Sequence, residues 1–159
     1  MTFFNLDKTS LKILALLQEN SRISYTEIGK QIGMSSSSVK DRVEKLEESG
    51  VITQYSVKID NAKIGYPITA ITMLSCQGAY TPKEEAIIKM LSEYHQVLEV
   101  FKITGRNDFV IKVSVRTMEE SKMINDKLGK FGQTETSFIV SEYMNNSGIN
   151  FSKKLNKSK

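Results

Sequence analysis

Four consecutive serines, Ser35, Ser36, Ser37 and Ser38, are followed closely by Lys40, Arg42 and Lys45. Small hydroxyls beside cations are the groups that meet phosphate oxygens and the edges of nucleic-acid bases. A second cluster, Gly105-Arg106-Asn107-Asp108, puts a guanidinium, an amide and a carboxylate into one stretch of turn-forming residues. That set has the chemistry to hold the carboxylate and ammonium of a small zwitterion, although a plain polar turn has the same composition. Covalent and metal chemistry find little material. The chain has one histidine, His95, and one cysteine, Cys76. A lone pair of such residues in different elements makes no metal-ligating cluster. His95, between a helix and a strand, reads as a surface or helix-capping residue and not as a catalytic base. Cys76 lies in an apolar alternating segment and reads as buried and unreactive. No glycine-rich loop leads from a strand into a helix. Glu84-Glu85 and Glu119-Glu120 fall in the first turns of helices, where the backbone dipole favours carboxylates. The expectation is a protein without catalytic residues, bound metal or cofactor.

The elements that must position the serines are helices. Asp7 is an N-cap, with Leu6 and Leu11 spaced as a hydrophobic staple, and Leu11, Leu14 and Leu17 form a stripe that ends near Asn20. Ser24 and Glu27 form a capping box for a helix from Tyr25 to Ile32. Gly33 suits a left-handed helix end, Met34 plugs the turn, and Ser35 or Ser36 caps the next helix. That helix buries Val39, Val43 and Leu46 and stops at Gly50. At roughly 100° per residue its outward face carries Ser37, Asp41, Glu44 and Glu48. Lys40 lies on one flank, and Ser38, Arg42 and Lys45 on the other. Two short helices joined by a glycine-containing turn are the sequence form of a helix-turn-helix. The serine-tipped N-terminus of its second helix fits phosphate contact and major-groove reading.

The second cluster belongs to a sheet. Tyr55, Val57 and Ile59 alternate with polar residues, which predicts a strand leaving the helices, and Asp60–Pro67 is the boundary. Ile68–Gln77 is apolar on both faces and predicts a strand buried on both sides. Thr81, Pro82 and Glu84 open a helix with Ile87, Met90, Leu91 and Tyr94 inward. Val97–Ile103 and Phe109–Val115 form a hairpin around Gly105–Asp108. Thr117 with Glu120 opens a helix with Met118, Ser121, Ile124 and Leu128 inward, and Thr134–Tyr143 is a last strand. The order β-α-β-β-α-β is the ferredoxin-like split βαβ. The fold class is therefore α+β: a winged-helix-like helix-turn-helix domain at 1–52, a strand and linker at 53–66, a βαββαβ domain at 67–145 and a polar tail at 146–159.

Composition agrees with this division. Of 159 residues, 40% are apolar and 25% charged, as in a soluble globular protein. No apolar run approaches the ~20 residues of a membrane span, and Met1–Asn5 lacks signal-peptide features, so the expected address is the cytoplasm. The formal charge of +4 is unevenly placed. Residues 1–55 hold seven cations and seven acids, whereas the tail carries Lys153, Lys154, Lys157 and Lys159. Attraction to DNA would thus depend on local placement and on doubling the contacts in a dimer.

The chain resembles the Lrp/AsnC family of prokaryotic transcription regulators, over about residues 6–145. The resemblance rests on LDKTSLKILALLQENSRIS, IGKQIGMS, RVEKLEESGVIT, ITGRNDFVIKV and QTETSFIV, in that order. It implies an N-terminal helix-turn-helix and a C-terminal domain for effector binding and oligomerisation. Dimers form through the C-terminal sheets, and dimers often join into octamers. An amino acid binds between dimers, near the hairpin turn and the last strand. Carried onto this chain, Gly105, Arg106, Asn107, Asp108, Gln133, Thr134 and Thr136 match the effector site. Arg106-Asn107 departs from a turn that often reads Gly-Asp-Phe/Tyr-Asp, and Ser36–Ser38 replace a start of the recognition helix that often contains proline. The implied function is a nucleoid-associated, sequence-specific DNA-binding regulator that responds to an amino acid. It has double-stranded pseudo-palindromic DNA and further copies of itself as partners, and no membrane. Two rivals share the architecture: a tetrapyrrole-processing enzyme, which needs more histidine, and a low-specificity DNA-wrapping protein.

Overall fold

A computed structural model describes residues 5–76, 84–143 and 148–152. The chain forms two compact units, residues 1–58 together with 144–159, and residues 59–143.

The first unit holds α1 (Lys8–Glu19), α2 (Tyr25–Ile32) and α3 (Ser36–Glu48). Each begins on a side-chain cap: the Asp7 carboxylate accepts from Ser10 N, Ser24 Oγ from Glu27 N, and Ser35 Oγ from Ser38 N. Gly33 ends α2 at φ 76°, the left-handed region that glycine enters without penalty. Ile13, Leu14, Leu17, Ile28, Val39, Val43 and Leu46 form one core. Burying seven such side chains drives the unit's folding, at about 1.5–3 kcal/mol each.

Residues 53–60 form no ladder, and the strand expected there is an unpaired segment with Tyr55, Val57 and Ile59 exposed. Its alternation is real, but a strand requires a neighbour to accept its hydrogen bonds, and no described residue of the chain supplies one. Tyr55 is held at its tip, where its hydroxyl donates to Glu47 Oε1 at 2.7 Å. Burial and that carboxylate raise the phenol's pKa.

The second unit is a four-stranded antiparallel sheet in the order β2-β3-β1-β4, built from β1 (Ile68–Ser75), β2 (Val97–Lys102), β3 (Phe109–Val115) and β4 (Gln133–Phe138). With α4 (Glu84–Ser92) and α5 (Met118–Leu128), it is the ferredoxin-like arrangement. One face packs Ala70, Leu74, Phe109, Ile111, Val113 and Val115 against Ile87, Leu91, Ile124 and Leu128.

Three expectations are corrected, while the caps placed at Thr81 and Pro82 lie outside the described residues. β1 is buried on one side only: Met73 pairs with Val110, Val110 with Phe101, and that rung lies on the open face, with Met73 37% and Phe101 52% exposed. Apolar composition on both sides of a strand does not distinguish a buried face from one left for another molecule. The last strand ends at Phe138, which pairs with Ala70; one further bond, Ile139 N to Thr69 O at 2.9 Å, follows it, and Val140 and Tyr143 are exposed. Met118, in the first turn of α5, is likewise exposed, while Ser121, Ile124 and Leu128 are buried as expected.

The entry to β1 is pinned by side chains remote in sequence. Arg116 Nη2 donates to the Tyr66 hydroxyl at 3.0 Å, and the guanidinium stands 4.8 Å from that ring's centre. His95 Nε2 lies 2.9 Å from the same hydroxyl, so the lone histidine takes a structural position. Ser114 Oγ donates to Tyr66 O at 2.9 Å.

Candidate functional site

The serine cluster divides its labour. Ser35 is committed to the turn: its hydroxyl receives Ser38 N at 3.1 Å and lies 2.8 Å from Ser38 Oγ and 3.1 Å from Ser37 Oγ. Ser36 and Ser37 are exposed in the first turn of α3, and Ser38 is half-buried. Thr26, in the first turn of α2, reaches Ser36, Oγ to Oγ, at 3.5 Å. Two helix N-termini therefore meet at one pole, where unpaired N–H groups and aligned dipoles favour an anion. The sequence reading did not single out Thr26; a hydroxyl in the first turn of the preceding helix is the signal that could have found it.

Gly29 makes this pole possible. A Cβ at Gly29 would sit 2.4 Å from Met34 O. Met34 N and Gly33 N both donate to Gly29 O at 2.9 Å, closing the turn on that residue.

The cations behave unequally. Lys40 is exposed and pairs with Glu44 at 3.5 Å, one turn along. Lys45 is exposed in the last turn. Arg42 points elsewhere: its Nη1 donates to Asp7 Oδ2 at 2.7 Å and to Ser10 Oγ at 3.3 Å, tying α3 to the start of α1. Asp7 receives Ser10 N as well, and the bonds from Ser10 and Arg42 hold its carboxyl down at about 2. Arg42 thus braces α3 to α1 within the unit. The helical wheel assigned it a flank without showing that Asp7 occupies the same flank.

The second cluster forms the β2–β3 turn. Gly105 has φ 126°, a conformation open to glycine and strained for other residues. Ile103 N donates to Asp108 O at 2.8 Å, and Asp108 N to Leu74 O at 2.9 Å. The Asp108 carboxylate receives Cys76 N at 2.7 Å. It therefore locks the turn onto the end of β1. Cys76 is buried, and burial first, then the Asp108 charge, raises its thiol pKa, in keeping with an inert side chain. Ser75 Oγ donates to Arg106 O at 3.3 Å, and Asn107 Nδ2 to Met73 Sδ at 3.3 Å.

On the other side of β1, Ser75 pairs with Gln133 and Leu74 with Thr134. The turn and the start of β4 thus flank the end of one strand, about 10 Å apart by two strand spacings. A Cβ at Gly132 would sit 2.1 Å from Ser75 O, so only glycine permits this approach. The structure separates what the sequence grouped, because side chains alternate along a strand. Thr134 and Thr136 share the helix-facing side of the sheet with Leu74 and Thr72, while Gln133 faces the other way. Thr72 Oγ1 donates to Asn125 Oδ1 at 2.9 Å and lies 2.9 Å from Thr136 Oγ1. Thr72 has one proton, committed to Asn125, so Thr136 donates to Thr72. Thr136 is therefore part of a polar link from β4 through β1 to α5. The open recess beside Glu84, Glu85, Ile88 and Lys89 is elsewhere and lined by solvated charges.

A helix-turn-helix with an exposed N-terminal pole, joined to a ferredoxin-like sheet with a braced turn, defines the class of two-domain transcription regulators. Residues 6–53 match the winged helix-turn-helix DNA-binding domain, and residues 69–149 match the Lrp/AsnC ligand binding domain. The chain belongs to the Lrp/AsnC family. It is 32% identical to an HTH-type transcriptional regulator of Pyrococcus furiosus over 85% of this chain and 90% of that one. LrpC of Bacillus subtilis superposes with a TM-score of 0.81 at 28% identity, over 89% of this chain and 99% of that one. A transcriptional regulator from Neisseria meningitidis, solved as an L-Met complex, superposes with a TM-score of 0.82 at 26% identity, over 91% of this chain and 96% of that one. The chain is a DNA-binding transcriptional regulator that responds to a bound effector. Its relatives are named as regulators, in keeping with a non-enzymatic role.

Proposed function

We propose that α3 meets the major groove with its N-terminal turn leading. The observation that carries this reading is the pole at which Ser36, Ser37 and Lys40 stand exposed beside Thr26. Asp41, Glu44 and Glu48 make the outward face of the rest of α3 acidic. Repulsion from phosphates keeps that acidic face out of the groove, so base reading is confined to the tip. Ser36 and Ser37 contact base edges, and Lys40 and Lys45 meet phosphates.

Two copies, joined through the open sheet face and the unpaired segment at 53–60, present two tips. The operator is then a pseudo-palindrome with half-sites separated by whole helical turns. Further assembly of dimers, up to octamers, follows from the family resemblance. The effector is a free amino acid at the Gly105–Asp108 turn, with Arg106 serving its carboxylate. The Neisseria relative's L-Met complex supports that chemistry. The working compartment is the cytoplasm, at the nucleoid; among the described residues no helix is long and apolar enough to cross a membrane.

Fluorescence polarisation with genomic fragments tests the docking. Lys40→Ala is expected to weaken binding to all sequences and to lower the salt slope by about one per protomer. Unchanged affinity would sink this orientation of α3. Calorimetry across the full set of amino acids tests the effector, and silence from all of them at millimolar concentration would reduce Gly105–Asp108 to a structural turn.

A further inference from the structure

The helical unit is joined to the sheet unit twice along the chain, and near each junction side chains fasten the backbone to the helices. The first junction follows α3. Ile52 N donates to Leu46 O at 3.0 Å and closes that helix. Three residues on, the Tyr55 hydroxyl donates to Glu47 Oε1 at 2.7 Å and holds the departing chain against the end of α3. Tyr55 is half exposed and takes no part in the core. Burial first, then the Glu47 carboxylate, raises its pKa, so the phenol keeps the proton it donates wherever duplex DNA is bound. The second fastening lies beyond the sheet, where residues 148–152 belong to the helical unit again. The Gln18 carboxamide takes the backbone there with both of its ends: Nε2 donates to Ile149 O at 2.9 Å, and Oε1 receives Phe151 N at 3.3 Å. Glu19 Oε1 receives Ser152 Oγ at 2.8 Å, and Phe151 packs half-buried against the core.

The first fastening sets how much linker is slack. Among the described residues, no hydrogen bond or ion pair holds 56–59. From Asp60 the chain is fixed again, with Lys63 N donating to Asp60 O at 3.1 Å and Tyr66 N to Asn61 O at 2.8 Å. The stretch from Tyr55 to Asp60 spans at most about 18 Å; with Tyr55 released, the slack would begin at Ile52 and reach about 29 Å. Joining two reading heads makes the second contact intramolecular, at an effective concentration that depends on whether the tether matches the span between the sites. A short tether favours one separation and forfeits the others, whereas a slack one tolerates a range.

We propose that Tyr55 and Gln18 are positioning residues for DNA recognition: by fastening the chain to the helical unit at both junctions, they fix the half-site separation that a pair of copies can read. This rests on the pairing proposed above and adds to it what sets the spacing. Neither residue touches DNA, so the identity of the bases read by α3 does not depend on them.

The test uses the full chain and a half-site selected by it from random duplexes. Polarisation then compares duplexes with one half-site and with two, the separation of the two being varied one base pair at a time. A change of two base pairs from the best separation should cost the wild-type chain at least about tenfold in affinity, and the joint Tyr55→Phe, Gln18→Ala variant less than about threefold. Affinity for the single half-site should be the same in both. Glu47→Gln keeps an acceptor for the phenol and should retain the wild-type dependence on separation. Tyr55→Phe removes only a hydroxyl outside the core, so it carries the test should the joint variant fail to fold, with a spacing penalty between the two. A joint variant, or in its place Tyr55→Phe, with the full wild-type penalty overturns the fastening and leaves the pairing standing. Equal losses on one half-site and on two would mean that these residues only hold the helices together, and would overturn it as well. Wild-type chain that binds one half-site as tightly as two overturns the pairing, and the proposal with it.

Discussion

The α2–α3 turn and the β2–β3 turn solve the same problem with different reach. Each is closed by a polar side chain that thereby leaves the active surface: Ser35 in the first, Asp108 in the second. The helical turn also depends on a glycine pressed against backbone, Gly29 on Met34 O, and the end of β1 to which the sheet turn is locked has another, Gly132 on Ser75 O. In the helical turn, however, the partners are close in sequence, Ser35 with Ser38 and Gly29 with Met34. In the sheet turn they lie more than thirty residues apart, as in Asp108 with Cys76. The first turn holds its shape within its own domain segment. The second is held by the register of the whole sheet, so anything that shifts β1 against β4 shifts the turn as well.

The glycines give the strongest way to break this comparison. Gly29→Ala should destabilise the helical unit by about 3 kcal/mol, because the new methyl meets a main-chain oxygen with no flexible end to move. Gly132→Ala should cost about 2 kcal/mol and, in addition, displace Gln133 and loosen the β2–β3 turn. Hydrogen exchange resolves the two effects: lost protection confined to α1, α2 and α3 in the first variant, and spread through β1, β3 and β4 in the second. Local losses in both variants would remove the distinction.

Asp108→Ala sharpens it at intermediate cost. It leaves Cys76 N without its acceptor, worth about 1–3 kcal/mol, and should abolish effector response while DNA binding by the unliganded protein persists. Asp108→Asn keeps an acceptor for that N–H and should restore most of the stability. Equal loss in the two variants would mean that the charge itself matters, in ligand binding and not in bracing.

The smallest effect concerns the brace between Asp7 and Arg42. The Asp7 carboxyl titrates at about 2 in the fold, against about 3.9 in an unfolded chain. Its contribution is complete above about pH 4 and disappears as the pH falls through 2. Asp7→Asn retains the cap but not the ion pair, so it should cost less than about 1 kcal/mol at neutral pH. It should also flatten the acid limb of a stability curve, measured by urea midpoint. Arg42→Ala should move that midpoint more than it moves the salt slope of DNA binding, and the reverse result would return Arg42 to the phosphates.

The sequence was most readable where structure is local. Asp7, Ser24 and Ser35 act as caps, Gly33 ends its helix, and Val39, Val43 and Leu46 face inward, because each depends on neighbours within one turn of helix. The βαββαβ order was equally plain from alternation and capping. What escaped was anything that joins distant stretches: Arg42 to Asp7, Asp108 to Cys76, Thr136 through Thr72 to Asn125, and Tyr66 between His95 and Arg116. Composition cannot say which face of β1 is covered, and a helical wheel cannot say which flank of α3 is already occupied. The candidate effector residues were therefore grouped by the sequence, while the fold sets them on opposite sides of one sheet.

The rung of Phe101, Val110 and Met73 is left on the open side of the sheet. In the pairing proposed above, a solitary protomer keeps that greasy strip wet, whereas a paired one dries it. Folding and association then share a single driving force, and how sturdy the regulator is becomes a question of how many copies the cell holds.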